Sequence, residues 1–236
     1  MTTFVLVHGS WHGGWCWKYV APRLRALGHE VTTPTLTGLG ERSHLARRDH
    51  DFSVHVEDLV AHVTYEDLRD IVLVGHSYGG WVITAAAERI ADRIRRLVYL
   101  DAWVPDDGES IRGLIGPEGM AEFERRAAGF DGWRSPAPSP SQFGVTDPAQ
   151  QAWMESRLVP GALKIIEGTV SLSDPAAARL PRSYIRCTRA LPAFELFVER
   201  FRRRGWPVAL LDAGHDAMVT HPDELVALIR EAPSVV

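Results

Sequence analysis

The strongest constraint on the fold is a short turn sequence between a buried strand and a helix. Residues 71–74, IVLV, are apolar without interruption, which is typical of a strand covered on both faces. The sequence GHSYG follows at 75–79, and residues 80–91 then place apolar side chains at helical spacing. A GxSxG pattern in this position indicates a strained turn that lifts its serine to the carboxyl edge of a sheet. We therefore predict that Ser77 is a nucleophile; the alternative is a tight turn with an incidental serine.

The rest of the chain alternates between short apolar runs and longer amphipathic segments. Strands are predicted at 4–7, 71–74 and 97–100, with weaker candidates at 29–33, 182–187 and 206–211. Helices are predicted at 17–27, 54–67, 80–91, 193–204 and 222–231. Strands that alternate with helices pair in parallel through right-handed crossovers, so the pattern predicts an α/β fold with a mostly parallel sheet of about six strands.

Residues 103–181 interrupt this alternation. They contain no good strand, only weak helices near 117–128 and 148–158, and a proline-rich stretch at 135–140. Because the segment falls between two strands of one sheet, a loop-rich helical lid is favoured over a structureless linker. The predicted organisation is a single domain with its core at 1–104 and 182–236 and a lid at 105–181.

A serine nucleophile needs a base and donors for an oxyanion. His215 follows the last predicted strand, which places it at the same sheet edge as Ser77. The backbone N–H of Tyr78, directly after the nucleophile, is one expected donor. The second is expected from the glycine-rich loop at 8–14, where the N–H of Ser10 is the best candidate; a purely structural turn is the alternative for this loop.

Charge and motifs narrow the class of function further. The 26 lysines and arginines against 30 acidic residues give a net charge of −4, which argues against a nucleic-acid partner. No apolar stretch approaches the roughly 18 residues of a membrane span, and no basic leader opens the chain, so we expect a cytoplasmic protein without a membrane partner. His8 and His12 form HxxxH on a glycine loop, and the turn at 38–40 lacks the third glycine of a dinucleotide site. We therefore expect neither a metal nor a cofactor.

Five motifs spread over nearly the whole chain resemble those of a known family. They are HGSWHGGWCW, LTGLGERSHL, GHSYGG, VYLDAWVPDDG and GHDAMV. The chain resembles α/β-hydrolases of the plant methylesterase and hydroxynitrile-lyase group, and more closely their bacterial esterase relatives. The resemblance implies an α/β-hydrolase fold with Ser77 as nucleophile and His215 as base. Lyases of this group carry threonine and lysine where this chain has Gly9 and Asp216, so the resemblance favours an esterase.

The acid that usually completes the catalytic triad of this family is missing. It follows the penultimate strand, but residues 184–192 contain no carboxylate. A histidine base needs a partner on Nδ1, and the candidates are Asp101, Asp212, Asp216 and Glu195. Asp101 directly follows the predicted strand at 97–100, so it points to the catalytic edge. We predict that Asp101 is the acid; the alternative role is a carboxylate that braces its loop.

The function predicted from these residues is cofactor-independent serine hydrolysis of a carboxylic ester through an acyl-enzyme, with a thioester or a lactone as alternative substrates. Trp11, Trp133 and Trp153 are expected to line a pocket for an apolar or aromatic small molecule, with core packing as the alternative for each. Two other functions stay open: a biosynthetic acyltransferase, cyclase or lyase with the same residues, and a ligand-binding protein with little turnover. Nothing in the sequence predicts the oligomeric state.

Overall fold

The computed structural model describes residues 1–231, and this part of the chain contains eight strands in two sheets. The strands are β1 (Thr3–Val7), β2 (Glu30–Thr32), β3 (Ile71–His76), β4 (Ile94–Leu100), β5 (Arg134–Ser135), β6 (Gly161–Ala162), β7 (Arg182–Cys187) and β8 (Val208–Leu211). Six of them form one sheet in the order β2-β1-β3-β4-β7-β8, and every pairing in it is parallel. The predicted parallel sheet is thus confirmed.

Helices cover both faces of this sheet. They are α1 (Val20–Ala26), α2 (Phe52–Tyr65), α3 (Tyr78–Ile90), α4 (Ile111–Ala128), α5 (Pro148–Glu155), α6 (Pro175–Arg179), α7 (Glu195–Arg203), α8 (Ala217–Thr220) and α9 (Pro222–Glu231). Side chains alternate along each strand, so Leu73 enters the core beneath α2, α3 and α7, whereas Val72 and Val74 enter the core beneath α1 and α9. This two-sided burial explains why β3 is apolar without interruption.

The central strands bring the beginnings of four loops to one edge. In the parallel register, Val7 lies beside Gly75 and Leu100 lies beside both His76 and Ile185. Because parallel strands all point the same way, the residues that follow β1, β3, β4 and β7 meet at the carboxyl edge of the sheet.

The segment between β4 and β7 has more structure than its sequence predicts. It holds α4, α5 and α6, together with a short antiparallel ribbon in which Ser135 pairs with Gly161. The helix α4 starts earlier than predicted and is broken at Gly116, where φ is +68°. The division into core and lid stays a prediction, and its last five residues, 232–236, lie outside the described part of the chain.

Two helix starts also differ from the sequence patterns. The helix α3 begins at Tyr78, two residues before its predicted start, because the strained turn at Ser77 leads directly into the first helical turn. The predicted helix at 17–27 splits into a 3-10 turn at Gly14–Trp17 and the shorter α1. Across residues 1–231, no helix is long and apolar enough to cross a membrane.

Candidate active site

Ser77 occupies the strained turn between β3 and α3. Its φ of +53° and ψ of −122° lie outside the regions that most residues adopt. The turn is fixed by its own backbone, because Ser77 N donates to Leu100 O at 3.1 Å and Ser77 O accepts from Trp103 N at 3.1 Å. A Cβ on Gly75 would lie 2.7 Å from the backbone of Gly79, so that position requires glycine. This is the geometry expected of a serine presented as a nucleophile.

His215 lies on the loop after β8, with its ring held on two sides. Its Nδ1 is 2.6 Å from Asp101 Oδ2, which fixes the ring orientation. The ring of Phe194 stacks on it with centroids 5.0 Å apart and planes 16° apart. In the described chain, neither Ser77 Oγ nor His215 Nε2 has a hydrogen-bond partner, which leaves both open toward a substrate. Catalytic hydrogen bonds of this kind often tighten only when substrate is bound.

Asp101 is fully buried at the end of β4, and its carboxylate is shared between two sides. While Oδ2 faces His215, Oδ1 accepts from Arg186 Nη1 at 2.7 Å and from Cys187 N at 3.2 Å. Its backbone has a φ of +42°, and its N–H donates to Ile185 O at 2.8 Å. The carboxylate therefore lies within the range that a triad acid requires, as the sequence predicts, while its catalytic role stays a prediction.

The three other candidate acids have different partners. Asp212 is mostly exposed and faces Arg189 at 3.3 Å. Glu195 accepts from Arg186 Nε at 2.8 Å. Asp216 is buried, and its Oδ2 contacts His12 Nε2 at 3.0 Å rather than the Nδ1 of His215.

The loop after β1 passes close to Ser77, as the predicted oxyanion donor of this loop requires. A Cβ on Gly9 would lie 2.9 Å from Ser77 Cβ. The peptide that carries the Ser10 N–H is anchored on its other side, because Gly9 O accepts from His8 Nδ1 at 2.8 Å. His8 Nε2 in turn accepts from Leu36 N at 3.0 Å, so the ring is neutral. Burial lowers the pKa of His8 to about 3, which agrees with that assignment. These contacts hold the peptide of Gly9 and Ser10 in place, while the donor role of Ser10 N–H stays a prediction.

A second buried polar cluster lies behind His215. His12 contacts Ser10 O through Nδ1 at 2.7 Å and Asp216 Oδ2 through Nε2 at 3.0 Å, so both nitrogens donate and the ring is an imidazolium. Burial works against its charge, but the Asp216 carboxylate prevails and raises the pKa of His12. Burial also works against the charge of Asp216, yet His12 lowers the pKa of that carboxyl. The pair is therefore a charged, buried contact that braces the loop after β1.

Three of these residues could supply ligands to a metal ion. Ligand atoms of His76, His215 and Asp216 lie within 4.8 Å of one another. His76 Nε2 donates to His215 O at 3.1 Å, His215 Nδ1 faces Asp101, and Asp216 Oδ2 faces His12, so all three side chains already have protein partners.

The predicted pocket tryptophans separate into two groups. Trp11 stacks on Phe123 with centroids 6.0 Å apart and lies 6.1 Å from Phe143, whose ring is 6.0 Å from that of His215. Trp11 thus belongs to an aromatic wall that reaches the site.

Trp133 and Trp153 have contacts of a different kind. Trp133 lies under Arg134 at 4.7 Å, in the ribbon segment. Trp153 packs edge-on against Trp15 at 5.2 Å and beside Tyr19 at 5.5 Å. Within the described residues, these two side chains make no ring contact or hydrogen bond with Ser77 or His215, and their pocket role stays a prediction.

Sequence reasoning missed Arg186 and Phe194. Arg186 is a buried charge in the strand sequence RSYIRC at 182–187, and a charge near the carboxyl end of a buried strand is a signal that could have been used. Phe194 gives no such signal, because its contact with His215 depends on how the loop after β7 folds.

Comparison with known proteins places this site in a wider context. The sequence model described as "Alpha/beta hydrolase family" matches residues 4–228. Carbendazim hydrolyzing esterase of Nocardioides sp. (strain SG-4G) is 42% identical over 236 residues, which cover 95% of this chain and 97% of that protein. Methylesterase 1 of Arabidopsis thaliana is 29% identical over 247 residues, with 94% of this chain and 92% of that protein covered.

The solved structures agree with these sequence matches. An extracellular alpha/beta-hydrolase from a Paenibacillus species superposes with a TM-score of 0.87 at 26% identity, covering 98% of this chain and 99% of that chain. It is described as sharing structural and functional homology with tobacco salicylic acid binding protein 2. The predicted fold and the predicted resemblance to bacterial esterases and plant methylesterases are confirmed.

Proposed function

The chain belongs to the alpha/beta hydrolase family, and on that premise we propose that it cleaves carboxylic esters through an acyl group on Ser77. The observation that carries the proposal is the 2.6 Å contact between Asp101 Oδ2 and His215 Nδ1, at the sheet edge that also presents Ser77 in its strained turn. A nucleophile, an oriented base and an acid on that base are the parts that acyl transfer to a serine requires.

The reaction then proceeds in two halves. His215 Nε2 takes the proton of Ser77 Oγ as that oxygen attacks the ester carbonyl, and the imidazolium, stabilised by Asp101, passes the proton to the leaving alkoxide. The acyl group is now an ester of Ser77. Water attacks it with the same histidine as base, releasing the carboxylic acid and restoring the serine.

The oxyanion of each tetrahedral intermediate is bound by backbone N–H groups. Tyr78 N lies at the first turn of α3, where helix geometry leaves amides without partners, and the helix dipole favours negative charge there. Ser10 N is the second donor, held by the His8 contact to Gly9 O. Removing one such donor in other hydrolases lowers turnover by about 10²–10³.

The substrate is a small ester with an apolar or aromatic part. The aromatic wall of Trp11, Phe123 and Phe143 ends at His215 and supports this choice. The names of the relatives, a carbendazim hydrolyzing esterase and a methylesterase, favour methyl esters among the candidates. Residues 105–181 act as a lid that shapes this pocket. Trp11 Nε1 donates to Ser135 O at 2.9 Å, and this bond connects the loop after β1 to the lid.

The experiment pairs a covalent label with a substitution. A fluorophosphonate is expected to label Ser77 in the folded wild-type protein, and Ser77→Ala should abolish both labelling and hydrolysis of methyl and aryl esters. Ser183→Ala is the matched control, because this buried serine on β7 has an Oγ that finds no partner in residues 1–231. Full ester turnover by Ser77→Ala would overturn the proposal. An unlabelled wild-type protein would favour a ligand-binding role, and transfer to an added alcohol without hydrolysis would favour an acyltransferase.

A further inference from the structure

Arg186 stands out as a buried cation with no assigned task. It lies at the end of β7, the strand after which the family's usual acid would follow, and its side chain is 3% exposed. Its guanidinium binds carboxylates on both sides, Asp101 through Nη1 at 2.7 Å and Glu195 through Nε at 2.8 Å. A charge buried so completely is stable only when its partners are close and well oriented.

The sheet register explains why these two side chains meet. Asp101 follows Leu100 on β4, and Arg186 follows Ile185 on β7, while Leu100 and Ile185 are direct neighbours in the parallel ladder. The candidate acid therefore follows β4 rather than β7, which is one strand nearer the centre of the sheet. The strand β7 instead provides an arginine that contacts this acid. Asp101 needs this support, because its backbone has a φ of +42° and no other side chain binds its Oδ1 in the described chain.

The same guanidinium also organises the loop that follows β7. Its Nη2 donates to Leu191 O at 3.0 Å, and the Nε contact holds Glu195, the first residue of α7. Phe194 lies between these two anchors, and its ring stacks on His215 at 5.0 Å. Arg186 thus connects to the base along two routes, through the carboxylate and through the stacked ring.

We propose that Arg186 is a positioning residue that fixes Asp101 and Phe194 against His215, and so allows an acid on β4 to replace the one expected after β7. The inference rests on the proposed function. Arg186 touches no reacting atom. It holds Asp101 Oδ1, so that Asp101 Oδ2 stays directed at His215 Nδ1. Its positive charge also offsets part of the negative charge that Asp101 presents to His215.

The first test is Arg186→Met, which keeps much of the side-chain volume and removes the charge. We expect kcat for a methyl ester to fall by about 10- to 100-fold, the range seen when a group that orients a catalytic ligand is removed. KM should stay within about twofold, since substrate does not contact this arginine. Arg186→Lys should recover part of the rate, because it returns the charge without the two-pronged geometry.

A pH profile separates positioning from general loss of structure. The groups that face His215 are Asp101, His76 and Asp216. Without the guanidinium, Asp101 exerts its full negative charge on His215, which favours the protonated ring. The acidic limb of kcat/KM is therefore expected to move to higher pH in Arg186→Met, a shift that loss of folded protein alone would not produce.

A double-variant comparison keeps the inference testable if Arg186→Met alone does not fold. Asp101→Asn combined with Arg186→Met leaves no unpaired buried charge, so folding of this pair is favoured over the single variant. In the Asp101→Asn background, removal of Arg186 affects His215 only through Phe194, so the pair should react with the fluorophosphonate at no less than about one tenth of the rate of Asp101→Asn alone. A loss of about 100-fold or more in the pair would overturn the inference.

One control and one reference make the outcomes distinct. Arg182→Met removes another arginine of β7, whose Nη2 binds Ala177 O at 2.7 Å, and should leave labelling unchanged. A folded Arg186→Met protein that labels at the wild-type rate would overturn the inference and leave the proposed function intact. Absence of labelling at Ser77 in the wild type would instead overturn the proposed function itself.

Discussion

At the scale of single residues, two buried carboxylates lie near His215, but they have different partners. Asp101 binds Nδ1 at 2.6 Å, whereas Asp216 is held by His12 on the other side. Substituting Asp101→Asn keeps the volume and replaces the acceptor by an amide that cannot stabilise the imidazolium. We expect kcat to fall by up to about 10⁴, the loss seen when a triad loses its acid. Steady-state kinetics with a methyl ester measures it.

The control for this prediction is Asp212→Asn. Asp212 is exposed, faces Arg189 at 3.3 Å and follows β8, so its loss should leave kcat unchanged. Circular dichroism and the unfolding midpoint establish that both variants are folded. Near-normal turnover by a folded Asp101→Asn protein would exclude the triad and leave a serine–histidine dyad as the arrangement to test.

The residues that sequence analysis identified share one property. Ser77, His215 and Asp101 each follow a recognisable strand, and strands of a parallel sheet end at the same edge, so their proximity can be deduced without coordinates. Arg186 and Asp101 are 85 positions apart, and their contact requires the order of β4 and β7 in the sheet. The fold of the loop before Phe194 likewise depends on tertiary contacts that no local pattern carries.

At the scale of elements, the close approach of two loops sets a steric limit. The loop after β1 passes the turn at Ser77 so closely that a Cβ on Gly9 would lie 2.9 Å from Ser77 Cβ and 3.2 Å from His76 Nδ1. Gly9→Ala must therefore displace the loop, and with it the Ser10 N–H. We expect a loss of kcat of about 10²–10³, as for removal of an oxyanion donor, with a smaller change in KM.

A second glycine provides the matched control. Gly28 lies in the turn between α1 and β2 with a φ of +82°, and an added Cβ would meet nothing within 4 Å. Gly28→Ala should lower the free energy of unfolding by about 1 kcal/mol through backbone strain and leave kcat unchanged. An equal kcat for Gly9→Ala and the wild type would contradict this prediction, because it would show that the loop can shift without displacing the Ser10 N–H.

Element boundaries were harder to predict than element types. The strands at 4–7, 71–74 and 97–100 are found close to their predicted places because their burial on both faces leaves an uninterrupted apolar run. The ribbon of β5 and β6 escaped prediction because two-residue strands carry no periodicity. Trp153 illustrates the same limit, since the sequence does not distinguish an aromatic side chain that packs on Trp15 from one that contacts substrate, and its pocket role stays a prediction.

At the scale of the whole molecule, buried histidines tie the stability of the fold to pH. Burial lowers the pKa of His8 to about 3, lowers the pKa of His55, and, with His215 nearby, holds the pKa of His76 well below its usual range. In the unfolded chain each of these rings binds a proton near pH 6.5. Below that pH these rings bind more protons in the unfolded state than in the folded state, so the free energy of unfolding decreases as the pH falls.

His12 acts in the opposite direction. Burial alone would lower the pKa of His12, but the Asp216 carboxylate raises it. Above about pH 6.5 the folded state therefore keeps a proton that the unfolded chain has released. Stability contributed by this group is complete below pH 6.5 and is lost as pH rises through its folded value. The two effects together predict a maximum in the free energy of unfolding near neutral pH.

The acid side of this curve is the steeper one and can be tested with a single substitution. Each excess proton changes the free energy of unfolding by about 1.4 kcal/mol per pH unit, so His8 and His76 together give about 3 kcal/mol per unit once the pH is about one unit below 6.5, and His55 adds to that slope. Against a typical total of about 5–15 kcal/mol, acid unfolding should begin within a few pH units. His55→Gln removes one of these groups, whose ring contacts Tyr78 Oη and Thr37 O at 2.8 Å each, and should reduce the slope. Urea unfolding at stepped pH values measures this slope, with the exposed His44→Gln as control. A slope that His55→Gln leaves unchanged would mean that the neutral buried rings do not govern acid stability, and that loss of charged carboxylates such as Asp216 at lower pH does.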